Sequence, residues 1–158
     1  MTAGSSRPSF VDTNVFVYAV TDDDPERQSI ARDLLGTLAE SEALQTSIQV
    51  LQELYVVLTR KIPRKFTPQE ALAYLDRIAR APVTGIDYGV VREAAELSTR
   101  HRLSMWDAMV IVAASRSGAE RLYSEDLQHG RTILGVEIVN PFGNRSSKAD
   151  SIQKHSGG

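Results

Sequence analysis

The sequence contains no cysteine, and this absence removes several kinds of chemistry at once. A disulfide framework, a thiolate metal site and a cysteine nucleophile are all excluded, and the composition suits a reducing compartment. Long apolar runs are missing as well, since the longest, residues 108–114, is far too short to span a bilayer. We therefore expect a cytoplasmic protein that does not enter the membrane.

A strong charge of either sign is also lacking. The chain carries 18 lysines and arginines against 20 aspartates and glutamates, which gives a formal net charge of -2. Such a balance provides no overall attraction to a polyanion, so any phosphate-binding surface has to be a local patch assisted by bound cations.

The length and the apolar content indicate one compact domain. A chain of 158 residues with 42% hydrophobic residues can bury one continuous core. Residues 1–8 and 143–158 are small and polar without apolar periodicity, and we predict that both are disordered tails. The folded body is predicted to span residues 9–142.

Within this body, short β-rich runs alternate with helical patterns. Strands are predicted near residues 10–12, 43–46, 83–86, 121–124 and 136–139, and helices over 25–38, 47–60, 67–78, 88–102 and 106–115. We expect Leu72, Leu75 and Ile78 to face inward from one helix, Val91, Ala94, Ala95 and Leu97 from the next, and the last helix to be buried. The alternation predicts an α/β domain whose largely parallel sheet is covered on both faces.

Four carboxylates stand where these apolar elements begin or end, or inside one: Asp12, Glu53, Asp107 and Asp126. A carboxylate removed from water needs a partner ion, a metal or hydrogen-bond donors. Sites in parallel sheets gather beyond the carboxyl ends of the strands. Four acids at that edge would form a cage for a hard divalent cation.

Each acid also has a simpler explanation. Asp12 can be a helix N-cap, Glu53 can belong to a solvated helix face, and Asp126 can serve a turn. Asp107 lies three residues after Ser104 in a capping-box pattern, which would explain it fully. The joint occurrence of the four acids, rather than any one of them, favours the cation site.

The ordered set of motifs resembles the PIN domain family, in particular its VapC-type ribonuclease toxins. The residues that carry the resemblance are Asp12-Thr13-Asn14 after a short strand, Glu53 in a helix, Trp106-Asp107-Ala108 opening a helix, and Leu122 to Gly130. Together these motifs cover nearly the whole body, from about Ser9 to Pro141.

The resemblance implies a three-layer α/β/α sandwich and a metal-dependent endoribonuclease, the toxin of a toxin-antitoxin pair. Asp12 and Asp107 would be the firmest ligands of Mg²⁺ or Mn²⁺, with Glu53 and Asp126 completing the site. Thr13 and Ser124 match the family's accompanying hydroxyl positions. The expected reaction is hydrolysis of RNA phosphodiester bonds by metal-activated water.

The resemblance also implies partners. Such toxins pair as homodimers and are neutralised by a small antitoxin protein whose basic side chain can meet the acids. For the RNA substrate, the densest basic run is formed by Arg60, Lys61, Arg64 and Lys65. A solvated loop is the commoner meaning of such a run, but as a group these side chains can hold backbone phosphates.

Three rival interpretations are weaker. A haloacid-dehalogenase phosphatase needs a second aspartate two residues after the first, where this chain has Asn14. A receiver-like phosphoacceptor domain needs a lysine at a late strand end, which we cannot place. A non-catalytic PIN-like RNA-binding or interaction module remains open, although intact acids at all four positions speak against it.

Overall fold

The computed structural model describes residues 7–143, in which six strands form one central sheet flanked by helices. The strands are β1 (Ser9–Val11), β2 (Leu44–Ser47), β3 (Val83–Thr84), β4 (Arg121–Tyr123), β5 (Thr132–Ile133) and β6 (Val136–Val139). The helices are α1 (Thr13–Val20), α2 (Pro25–Glu40), α3 (Ile48–Val56), α4 (Pro68–Ile78), α5 (Tyr88–His101) and α6 (Met105–Arg116), and a π-helical turn (Val57–Lys61) extends α3.

The sheet is parallel except at one edge. Its strand order is β3-β2-β1-β4-β6-β5, and only β5 runs antiparallel to its neighbour. The chain therefore moves outward from β1 to β2 and β3, then returns to place β4 on the other side of β1. This reversal makes the gap between the carboxyl ends of β1 and β4 the topological switch point, where α/β sheets bind their ligands.

The helices form two layers. Parallel crossovers are right-handed in nearly all proteins, so the connections from β1 to β3 and the connection from β3 back to β4, which cross the sheet in opposite directions, lie on opposite faces. The contacts agree: α1 packs on α2 and α3, and α3 on α4, whereas α5 and α6 pack on each other and α6 meets β2, β4 and β6. The α/β architecture predicted from the sequence is confirmed.

Polar caps fix where the helices begin. A side-chain oxygen at each N-cap accepts a hydrogen bond from a backbone N–H in the first turn, at Asp12, Asp24, Ser47, Thr67, Asp87 and Ser104. At the start of α4 the Glu70 N–H donates to the Thr67 hydroxyl, and the same hydroxyl donates to the Glu70 carboxylate.

Two predicted inward faces are partly wrong. Leu72 is 52% exposed, whereas Ile78 is buried and Leu75 is half-buried against the core, as predicted. Helix α4 buries Ala71 and Tyr74 in addition. Tyr74 can be buried because its hydroxyl donates to the carbonyl of Phe16 over 2.8 Å.

In α5 the inward face is shifted by one residue from the prediction. Val90 is buried, whereas Val91 and Ala95 are exposed; Ala94 and Leu97 face the core as predicted. The buried character of α6 is confirmed from Ala108 onward but not at Trp106, which is exposed.

Strand β5 was not predicted, because the sequence of the turn between β5 and β6 is not typical of a hairpin. Leu134 and Gly135 both adopt positive φ, 51° and 76°, between β5 and β6. Two-residue hairpins of this kind favour asparagine and glycine at such positions, and a leucine conceals the turn.

The predicted tails lie outside the described residues except at residues 7, 8 and 143. Residue 8 is already tied to the fold, since the Pro8 carbonyl accepts a 2.8 Å hydrogen bond from the Glu120 N–H. None of the helices between residues 7 and 143 has the length and apolarity needed to cross a membrane.

Candidate active site

Asp12 stands at the switch point, directly after β1. Its carboxylate is only 7% exposed and is held from two sides. Oδ1 accepts from the Thr13 N–H over 2.8 Å, and Oδ2 accepts from the hydroxyl of Ser124, the residue after β4, over 2.8 Å. The simpler explanation of Asp12 as an N-cap is therefore correct, and the same geometry presents the carboxylate at the ligand-binding edge.

The environment of Asp12 makes its negative charge unfavourable. Burial raises the pKa of Asp12 from 3.8 to about 6, and the nearby charges of Glu53 and Asp126 push in the same direction. The hydrogen bonds from Ser124 and Thr13 oppose this shift and are outweighed. Within residues 7–143 Asp12 has hydroxyl and amide donors but no ion pair with a basic side chain, and a buried acid of this kind is suited to binding a cation.

Glu53 approaches the same edge from α3. Its Oε2 accepts from the Thr13 hydroxyl over 2.9 Å and from the indole N–H of Trp106 over 3.1 Å. Thr13 thus joins the first two acids, because its backbone donates to Asp12 and its side chain donates to Glu53. Glu53 is half-buried and accepts two hydrogen bonds, so the alternative of a solvated helix face does not describe it.

Asp126 lies in the turn that follows β4. Its backbone N–H donates to the Ser124 hydroxyl over 3.2 Å, and its Oδ2 accepts from the Asn14 side-chain amide over 3.1 Å. The other end of the Asn14 amide accepts from the Glu125 N–H over 3.3 Å. Asn14 and Ser124 therefore hold the turn against the start of α1.

Asp107 is placed differently from the other three acids. Its backbone N–H donates to the Ser104 hydroxyl over 3.0 Å, as the capping pattern predicts. Between residues 7 and 143, its carboxylate has no hydrogen-bond or ion-pair partner and is half-exposed. Within residues 7–143 no hydrogen bond joins Asp107 to the other three acids. Its neighbour Trp106 makes the contact, since the indole donates to Glu53 and the carbonyl accepts from the buried Gln49 amide over 3.2 Å.

The donor set fits a hard divalent cation in its chemistry. Carboxylate and hydroxyl oxygens are the ligands that Mg²⁺ and Mn²⁺ prefer, and the four acids supply them without nitrogen or sulfur competitors. Within residues 7–143, however, no group of three acidic or histidine side chains is placed so that it could hold an ion.

Arg27, which was not predicted to be a functional residue, binds the turn that contains Glu125 and Asp126. Nε and Nη2 of Arg27 donate to Glu125 Oε1 over 3.0 and 2.7 Å, and Nη1 donates to Asp24 over 2.9 Å. The guanidinium also lies 5.5 Å from the ring centre of Tyr18 and 5.6 Å from that of Phe142.

This group of side chains is electrostatically coupled. Burial would lower the pKa of Arg27, but the bonds to Asp24 and Glu125 outweigh it and raise that pKa. Burial and a hydrogen bond with Glu125 raise the pKa of the Tyr18 hydroxyl to about 12. Arg27 stays charged, Tyr18 stays neutral, and Glu125 is fixed next to Asp126.

A groove of about 300 Å³ leads away from the acids. Thr13, Asn14, Glu53 and Asp126 lie at its acidic end, and Tyr18 and Ile62 are among its apolar lining. A second cavity of about 330 Å³ shares Thr21, Asp23 and Ile62 with it and extends to Arg64 and Lys65. The structure therefore brings these two basic residues to the groove, and Arg60 and Lys61 are exposed in the π-helical turn that precedes Ile62.

Three functional contacts were not predicted from the sequence, namely those of Asn14, Arg27 and the Trp106 indole. Asn14 belongs to the Asp12-Thr13-Asn14 motif found in the sequence, but its contacts with Glu125 and Asp126 were not predicted. Arg27 and Trp106 carry no local signal, because their partners lie 98 and 53 residues away along the chain.

Two comparisons of the sequence with known proteins identify the family. The family model described as PIN domain matches residues 9–132. Ribonuclease VapC23 of Mycobacterium tuberculosis is 34% identical over 121 residues, which cover 74% of this chain and 91% of that protein.

Solved structures agree on the fold. Mycobacterium tuberculosis VapC20, described as a Sarcin-Ricin loop cleaving toxin, superposes with a TM-score of 0.60 at 23% identity, covering 75% of this chain and 89% of its own. A toxin-antitoxin complex from Klebsiella pneumoniae gives 0.63 at 16% identity over 85% and 98%. The switch-point acids, the six-stranded sheet and these similarities together show that the chain belongs to the PIN domain family, among its VapC-type members.

Proposed function

We propose that this protein is an endoribonuclease of the VapC type that hydrolyses RNA phosphodiester bonds at the edge formed by β1 and β4. Asp12, Glu53, Asp107 and Asp126 would hold Mg²⁺ or Mn²⁺, and Thr13 and Ser124 would orient the acids. The observation that carries the proposal is Asp12, a buried carboxylate at the switch point with two other acids nearby and no basic side chain bonded to it.

Some of these residues would bind the cation with their carboxylate oxygens, and others hold the carboxylates in position through hydrogen bonds. Ser124 and the Thr13 N–H fix both oxygens of Asp12, and the Thr13 hydroxyl and the Trp106 indole fix one oxygen of Glu53. Glu53 Oε1 and the Asp107 carboxylate make no hydrogen bond in residues 7–143, which leaves these oxygens available to a ligand.

When bound, a divalent cation supplies positive charge for the scissile phosphate and lowers the pKa of an attacking water. The acids alone would repel the RNA backbone. Approach of the strand is supported by the basic segment beside the groove, where Arg60, Lys61, Arg64 and Lys65 can contact phosphates without reading bases.

Regulation by a partner is part of the proposal. The Klebsiella pneumoniae structure is a toxin-antitoxin complex, and a Rickettsia felis structure described as VapBC2 bound to a promoter DNA fragment has a TM-score of 0.60 at 17% identity. We propose that this chain is likewise a toxin, acts in the cytoplasm, forms a homodimer and is neutralised by a small antitoxin. Sedimentation analysis of the purified chain tests the homodimer, and co-expression with any small reading frame found beside its gene tests the antitoxin.

The decisive experiment compares cleavage of single-stranded RNA by the wild type and Asp107→Asn. The helix cap uses the backbone N–H of residue 107, so the substitution leaves the cap intact while removing the charge. Cleavage with Mg²⁺ or Mn²⁺ should fall about 100-fold or more, as for loss of one electrostatic group in an active site, and EDTA should abolish it.

The wild type and one further variant serve as controls for Asp107→Asn. Asp33→Asn removes an exposed charge from α2 and should cleave like the wild type. Calorimetric titration with Mn²⁺ should show weaker binding by Asp107→Asn than by the wild type or by Asp33→Asn. Equal cleavage and equal Mn²⁺ affinity in all three proteins would refute the role of Asp107, and a wild type that binds RNA without cutting it would favour a non-catalytic module.

A further inference from the structure

The indole of Trp106 is exposed although it lies beside the acids. The residue is 46% exposed in the first turn of α6, and its ring N–H donates to Glu53 Oε2 over 3.1 Å. Its own carbonyl accepts from Gln49, which is buried. The ring is thus tethered at its polar edge and at its backbone while nearly half of the residue faces solvent.

Nothing in the described fold uses this exposed surface. Across residues 7–143 the ring contacts involve Tyr18, Phe142 and Tyr74, and neither another ring nor a guanidinium stacks on Trp106. A single exposed apolar residue is ordinary, so its exposure alone means little. Its placement is informative, because its hydrogen bond reaches an acid of the proposed phosphate-handling site.

We propose that an unpaired RNA base stacks on the indole of Trp106. This base would lie next to the phosphate whose bond is cleaved at the acidic site. The inference rests on the proposed function and narrows its substrate to single-stranded or looped RNA. Proteins bind unpaired strands by combining aromatic rings, on which any base can stack, with cations that follow the backbone.

The surroundings of Trp106 meet both requirements. The chain that leads into α6 carries Arg100 and Arg102, both exposed, before the cap at Ser104. A base held flat on the indole would keep its strand next to Glu53, and a base paired inside a duplex has no free face to offer. The fixed ring also avoids much of the conformational entropy that a mobile side chain would lose on binding.

Trp106 is the only tryptophan in the sequence, so its fluorescence reports on the proposed contact directly. The test uses the full chain carrying Asp126→Asn to suppress cleavage. Probes are a fluorescein-labelled oligouridylate, the same length of strand with abasic sites, and its duplex with oligoadenylate. We expect the oligouridylate to quench the tryptophan emission and the other two probes to leave it nearly unchanged.

Anisotropy of the labelled strand measures affinity in two variants. Trp106→Ala should bind about 5- to 150-fold more weakly, the loss that removal of one stacking ring produces. Trp106→Phe keeps an aromatic ring but lacks the N–H that bonds Glu53, and it should bind within about threefold of the parent, because a smaller ring still stacks. Affinity that falls equally in both variants would assign Trp106 to Glu53 positioning and overturn the stacking role.

The matched control is Tyr88→Ala, which removes another exposed aromatic. Tyr88 is 77% exposed at the start of α5, where its neighbour Asp87 pairs with Arg116 at the far end of α6. The length of α6 puts about 16 Å between Trp106 and that end, so RNA affinity should not change.

The remaining outcomes also decide the question. Equal quenching by the abasic strand, or an unchanged affinity in Trp106→Ala, would overturn the proposal while leaving RNA cleavage intact. A tryptophan emission that shifts with protein concentration in the absence of RNA would assign the ring to an interface between copies. If the wild type binds and quenches but never cleaves, the proposed nuclease activity fails and the stacking contact stands.

Discussion

Replacing Asp12 by asparagine should stabilise the protein in EDTA while destroying its activity. The pKa of Asp12 is raised from 3.8 to about 6, so the ionised form is disfavoured in the folded state. A difference of roughly 2 pKa units corresponds to about 3 kcal/mol that the folded protein loses when Asp12 ionises. Asparagine is neutral at every pH and removes this penalty.

The hydrogen bonds around residue 12 survive the change. The asparagine carbonyl can accept from the Thr13 N–H, and its NH₂ group can donate to the Ser124 hydroxyl, which rotates to accept. We expect the unfolding temperature of Asp12→Asn at pH 7 to rise by about 6 to 12 °C, from about 2 to 4 °C per kcal/mol at this chain length.

The pH dependence provides the sharper measurement. Between pH 3.8 and 6 the folded protein binds more protons at Asp12 than the unfolded chain does, so the contribution of Asp12 to stability falls as the pH rises through this window. Differential scanning calorimetry in EDTA should show that Asp12→Asn lacks this contribution, whereas Asp33→Asn follows the wild type.

Mn²⁺ should reverse the order of stability. Binding to the folded wild type adds about 4.1 kcal/mol at a thousandfold excess over the dissociation constant, which exceeds the penalty of about 3 kcal/mol, and Asp12→Asn should gain much less. A variant that is less stable than the wild type at pH 7 in EDTA, with the same pH profile, would refute the reasoning that burial of this charge is unfavourable.

The remaining predictions concern stability. Arg27→Ala should lower the free energy of unfolding, measured by urea denaturation, by about 2 to 3 kcal/mol, because the 19% exposed Arg27 side chain bridges Asp24 and Glu125 and its loss removes the guanidinium from the largely buried Glu125 charge. Removing the exposed Arg92–Glu96 pair by Arg92→Ala should change it by about 0.5 kcal/mol or less, so equal effects would contradict the first assignment. Leu54→Ala should lose about 2 to 5 kcal/mol because Leu54 is fully buried, whereas Leu72→Ala should be nearly neutral; a large loss at Leu72 would contradict the orientation of α4.

Local features of the sequence were sufficient for the fold class and for most helix starts. Alternating apolar runs predicted the parallel sheet, and Thr67, Pro68 and Glu70 marked a helix start that the structure confirms. The predicted inward faces of α4 and α5 were wrong at single residues, since Leu72, Val91 and Ala95 are exposed. In α5 the choice between Val90 and Val91 depends on which neighbouring helix is packed there, and α6 packs on that side only in the folded chain.

The four acids were found from their positions along the chain, because strand ends and helix starts are local properties. Whether they share one site is still a prediction, and their relative placement was decided by strand order. β1 and β4 are more than a hundred residues apart yet pair directly, and this pairing lets Ser124 donate to Asp12. The contacts of Arg27 with Glu125 and of Trp106 with Glu53 likewise join distant segments. The sequence by itself determined which residues can carry charge, cap helices and form the core, whereas only the tertiary structure decided which charges become buried, because burial depends on elements brought together from across the chain.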